Sequence, residues 1–124
     1  GPISAEVELK LGTGETLVAG ITEGSVKSLG LAVGKKAQAI VKAPLVLLAT
    51  HTDGWKFTAR NQLAGTVSAL HQGAVNPSVT VKLAGGASLA SIVTNGAIDD
   101  LALAVGSPVT ALFKAGSVVL AVQA

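Results

Sequence analysis

Three short segments of this 124-residue chain place hydrogen-bond donors where a small anion could be held. Thr58-Ala59-Arg60-Asn61 gathers a hydroxyl, a guanidinium and an amide with backbone N–H groups just ahead of an expected strand. Thr94, and Thr22 before it, stands at an expected strand-to-helix junction, where unpaired N–H groups and the helix dipole favour negative charge. Lys114-Ala115, and Lys42-Ala43 before it, sets a lysine at the end of an otherwise apolar strand. Each segment also has a plain reading, as a polar loop, an N-cap threonine or a snorkelling surface lysine. Taken together they offer donors and no carboxylate, which suits a tetrahedral dianion, a ligand that presents only acceptors.

Other chemistries find less support. Acid–base catalysis needs paired carboxylates or a poised histidine. The locally paired acids, Glu6 with Glu8 and Asp99 with Asp100, read as solvated strand or helix faces, and no enzyme is expected. His51 and His71 have no second ligand at metal spacing, and there is no cysteine, so no metal bound directly by the protein is expected. Single-strand nucleic-acid binding needs stacking aromatics in a basic groove. The chain has one Trp and two Phe, and a net charge of +2 that is dispersed, so no nucleic-acid partner is expected for it alone. The most apolar run, Ala39 to Ala49, is interrupted by Lys42 and Pro44 and is too short to span a bilayer, which points to a cytoplasmic protein without a membrane partner. With 49% apolar and only 13% charged residues, burial of outer surface against further copies is expected, so a homo-oligomer is the default.

The elements that must position these residues repeat. Shifting the sequence by 72 positions aligns Gly1–Ala49 with Gly73–Ala121 without a gap, and 19 of the 49 pairs are identical. Val7, Leu9 and Leu11 alternate with polar residues, as do Val79, Val81 and Leu83, the pattern of a strand with one buried face. A glycine turn, a second strand at Thr16–Ile21 or Ser88–Val93, and a short helix capped by Thr22 or Thr94 follow in each copy. Two more strands complete each copy, Lys36–Lys42 with Leu45–Thr50 and Val109–Lys114 with Val118–Val122. Lys56–Gln72 leads the second copy, and the first lacks its counterpart. The expected fold is all-β: two tandem five-stranded barrels of the oligonucleotide/oligosaccharide-binding (OB) type, each with a short helix, the first without its N-terminal strand. The division falls at residues 1–55 and 56–124.

The three segments, in this order within a duplicated barrel, resemble the molybdenum-pterin-binding, or Mop, domain family. Thr58-Ala-Arg-Asn-Gln-Leu-Ala-Gly-Thr-Val is similar to the family's Ser-Ala-Arg-Asn opening, Gly73-Ala-Val-Asn to its next signature, and Ile92-Val-Thr and Lys114-Ala complete the set. The resemblance covers essentially the whole chain and is of the tandem type found in molbindins and in the sensor half of molybdate-responsive regulators. It implies reversible binding of molybdate or tungstate between subunits of a trimer or dimer, for storage or homeostasis or, alternatively, for sensing, with no cofactor and no turnover. The implied ligand residues are Thr58, Ala59, Arg60 and Asn61 from one subdomain and Thr94, Lys114 and Ala115 from another. Thr22, Ser25, Lys42 and Ala43 match them in the first copy, where Ser25 stands against Ala97. An axial anion site is implied near Gly73, Ala74, Val75 and Asn76. Since the missing strand would carry the first copy's own arginine motif, the chain is expected to hold fewer anions than two intact copies.

Overall fold

Alternation of apolar and polar residues produces nine strands, seen in a computed structural model that describes residues 4–73 and 75–124. In chain order these are β1 (Ser4–Lys10), β2 (Thr16–Thr22), β3 (Gln38–Ile40), β4 (Leu47–Ala49), β5 (Asn61–His71), β6 (Ser78–Leu83), β7 (Ser88–Ile92), β8 (Pro108–Phe113) and β9 (Val119–Ala121). Two helices, α1 (Glu23–Ser28) and α2 (Asn95–Asp100), follow β2 and β7. The architecture is all-β with OB-like curled sheets, and the duplication is visible in its registers. Lys10 pairs with Thr16 in the β1–β2 hairpin, as Lys82 pairs with Ser88 in β6–β7.

The helices end alike because their termini are solved alike. Thr22 and Thr94 accept the N–H of the residue three positions on, Ser25 at 3.1 Å and Ala97 at 3.0 Å. At the other end the Leu31 and Leu103 N–H groups reach back to the Val26 and Ile98 carbonyls at 3.0 and 2.9 Å, closing a Schellman motif in each copy. The left-handed position in that motif is Gly30 in the first copy (φ 63°) and Ala102 in the second (φ 50°).

The last two strands of each copy exist, but they do not stay together. β3 pairs with β9 and β4 with β8, so the final strand of each copy joins the other copy's sheet. The exchange is symmetric: Gln38 faces Ala121, and its repeat equivalent Thr110 faces Ala49. The cause lies in the connections. Ala43–Leu45 and Ala115–Ser117 are single 3-10 turns, closed by Leu45 N–H to Lys42 C=O at 2.9 Å and Ser117 N–H to Lys114 C=O at 3.0 Å. A 3-10 turn carries the chain onward where a two-residue hairpin would fold it back.

The result is a five-stranded sheet, β4-β8-β5-β6-β7, with two ribbons, β1-β2 and β3-β9. β5 is long enough to pair with β8 through its first half and β6 through its second, and it bends at a bulge between Val67 and Ala69. Gly65 sits where the two pairings meet; a Cβ there would lie 2.6 Å from the Lys82 carbonyl oxygen and 2.7 Å from a Val81 methyl. Among the described residues no counterpart of β5 lies between β1 and β3. Burial follows the exchange. One core joins Leu17, Ala19 and Val46 of the first copy to Phe113, Val118 and Leu120 of the second, and the other gathers Val67, Val79, Val81, Ile98 and Val109.

Candidate functional site

At the start of β5, Asn61 ties its segment to the other copy. It is 2% exposed, accepts the Val18 N–H at 2.8 Å and donates to the Val18 carbonyl at 2.8 Å, so its amide binds β2 of the other copy as a backbone strand would. Gln62 donates from its side chain to the Ala59 carbonyl at 2.8 Å, tightening the same segment. Thr58 and Arg60 lie in the bent segment that precedes β5, and both are exposed.

Arg60 has a partner that the sequence motif did not include. Its Nε and Nη2 donate to the two carboxylate oxygens of Glu6 on β1, at 2.9 and 3.3 Å, in a pair whose side chains are 55% and 54% exposed. This is the one ion pair among the described residues. The Glu6 hydrogen bond, then the Glu6 charge, and to a smaller extent the Glu8 charge, hold the guanidinium pKa above its ordinary value. Glu6 belongs to an alternating strand and carries no motif of its own, and the repeat has Ser78 at the equivalent position.

Lys114 stands exposed at the start of its 3-10 turn, where its side chain makes no capping bond. A surface groove runs past it, bounded by Leu47, Phe57, Thr58, Ala59 and Ser117, so two of the three donor segments meet on one face of the chain. Arg60 does not line that groove. On the other side the same turn packs against β2. A Cβ on Gly20 would lie 3.4 Å from the Gly116 nitrogen and 3.5 Å from the Ala115 methyl, so Ala115 is brought beside the strand that ends in Thr22. The structure thus sets Lys114-Ala115 next to the first copy's threonine strand rather than Thr94's. Thr22 also donates to the Ser25 hydroxyl at 3.0 Å.

The reciprocal region is built differently. Lys42 and Ala43 open the turn Ala43–Leu45, which packs against β7, the strand leading to Thr94. There Pro44 replaces Gly116 and removes a backbone N–H, Ile92 replaces Gly20, and the Ser91 hydroxyl donates to the Val46 carbonyl at 2.7 Å. Of the axial group, the Gly73 carbonyl accepts from the Asn95 side chain at 3.0 Å, Val75 is exposed, and Asn76 is left-handed at φ 52°. Ala74 lies outside the described residues. Among the described residues no group of three or more His, Cys, Asp or Glu is placed to hold a metal ion, and no helix is long and apolar enough to cross a membrane.

Duplicated OB-like halves with exchanged strands define the class as a tandem all-β domain with donor-rich corners. The chain belongs to the TOBE domain family, whose description matches residues 1–48 and 58–120. It is 42% identical over 123 residues to the molybdenum transport protein ModE of Herbaspirillum seropedicae, covering 99% of this chain and 46% of that protein. It is 43% identical over 121 residues to the molybdenum-pterin-binding protein MopA of Rhodobacter capsulatus, covering 98% of this chain and 46% of that protein. The chain therefore spans about half the length of the curated relatives it matches. The crystal structure of the cytoplasmic molybdate-binding protein ModG, with molybdate bound, superposes with a TM-score of 0.93 at 46% identity, covering 99% of this chain and 87% of that one.

Proposed function

We propose that this chain binds molybdate or tungstate reversibly, without catalysis, in the cytoplasm, and serves storage or homeostasis of the oxyanion. The observation that carries the reading is the near-complete likeness to ModG, a cytoplasmic protein described with molybdate bound. The exposed donor set supports it: the Thr58 and Arg60 side chains, Lys114 beside the same groove, and Ala115 next to the strand that ends in Thr22. Asn61 enters as the residue that orients this set, and Thr94, Lys42 and Ala43 as a second corner of different build. Molybdate and tungstate are nearly isosteric and are accepted alike, while the smaller sulfate is rejected by fit.

Thr58 and Lys114 share a groove that Arg60 does not line, and in this reading the site is completed between chains of a homo-oligomer, a trimer or a dimer. Exposed apolar residues in repeat-equivalent pairs, Leu47 with Val119 and Val33 with Val105, support such contacts. The repeat boundary is set at 55/56, with the exchange making the halves one folding unit. A second reading, the molybdate-sensing half of a ModE-type regulator, is favoured by the match to about half of the Herbaspirillum protein. Titration calorimetry with molybdate and sulfate tests the shared claim, with saturable heat for molybdate alone as the expected result. Equal or absent heats for both would refute it.

A further inference from the structure

We propose that Glu6 is an internal competitor for Arg60, an affinity-setting residue that an incoming oxyanion must displace. The inference rests on the oxyanion reading of Arg60. A guanidinium presents its donors as a fork that a carboxylate or a tetrahedral oxyanion can fill, and here Glu6 fills it through Nε and Nη2 at 2.9 and 3.3 Å. The two acceptors cannot share those N–H groups. Both side chains are more than half exposed, so the pair is weak and exchangeable, as a competitor must be if the site is to bind reversibly.

Placement makes the contact more than a chance meeting of surface charges. Asn61 clamps the chain to β2 at Val18 through two hydrogen bonds, and Glu8, the register partner of Val18, lies two residues from Glu6 on β1. The buried amide therefore fixes Arg60 over the β1–β2 hairpin. The repeat shows that the carboxylate is not demanded by the fold, because the corresponding strand β6 runs in the same register with Ser78 in that place. Freed of Glu6, the Nε and Nη2 donors would be available to the anion, and a dianion arriving there would meet only the weaker field of Glu8.

Calorimetry of molybdate binding to the wild type, E6Q, R60A and the E6Q/R60A double variant tests this. Glu6→Gln keeps the size and an acceptor but removes the charge. The expected result is binding about threefold to tenfold tighter in E6Q, a gain that shrinks at high salt and is largely lost in the R60A background. Unchanged or weaker binding in E6Q would overturn the proposal and make Glu6 a support for Arg60. An equal gain with and without Arg60 would also overturn it, showing a general field effect. The pairing is read separately, without any anion, from the NMR exchange of the Arg60 Nε proton, which should be slower in the wild type than in E6Q. Equal exchange rates overturn the competition, whereas absent molybdate heat with slowed wild-type exchange overturns the oxyanion reading alone.

Discussion

Arg60 and Asn61 are neighbours in one motif and do opposite work. The arginine is exposed and exchangeable, while the asparagine is buried with its amide spent on Val18. Residue type announced hydrogen bonding at both positions, but which one faces solvent depends on where β2 passes, and that is a long-range fact. Asn61→Ala strands the Val18 N–H and carbonyl in a buried place and is expected to cost about 2 kcal/mol or more, measured by urea denaturation. Arg60→Ala and Lys114→Ala remove exposed donors, so they are expected to leave that stability nearly unchanged. Each should instead weaken molybdate binding by about 1.5 to 3 kcal/mol per site in calorimetry. The pairing of Glu6 with Arg60 was not legible because a glutamate in an alternating strand looks like any solvated face.

At the scale of elements, local chemistry was readable and partnership was not. Period-two runs, the threonine caps and the glycine turns located the strands and both helices, since these depend on residues close in sequence. The exchange of β4 and β9 depends instead on two 3-10 turns, which differ from hairpins by small changes in backbone angle that no residue in Lys42-Ala43-Pro44 or Lys114-Ala115-Gly116 dictates alone. One position in the helical elements is locally disfavoured: Ala102 adopts φ 50° where the first copy has Gly30. Ala102→Gly is expected to raise stability by about 1 kcal/mol, read as a higher denaturation midpoint. Loss of stability there would mean that the Ala102 methyl contributes packing that outweighs the strain.

For the whole molecule, duplication does not mean independence. The core around Phe113 takes residues from both copies, and each copy's last strand completes the other's sheet. Unfolding is therefore expected to be a single transition followed by circular dichroism, and Phe113→Ala should lower it by about 3 to 5 kcal/mol without splitting it. Two separate transitions would show that the exchange does not couple the halves. The same symmetry, broken at Gly20 against Ile92 and Gly116 against Pro44, makes the two donor corners unequal, so anion binding is expected to be less than two equal sites per chain. The most direct test of the oxyanion reading is titration of the wild-type chain with molybdate and, separately, with sulfate at the same ionic strength. Saturable heat with molybdate and little with sulfate is expected, and indistinguishable titrations would contradict it.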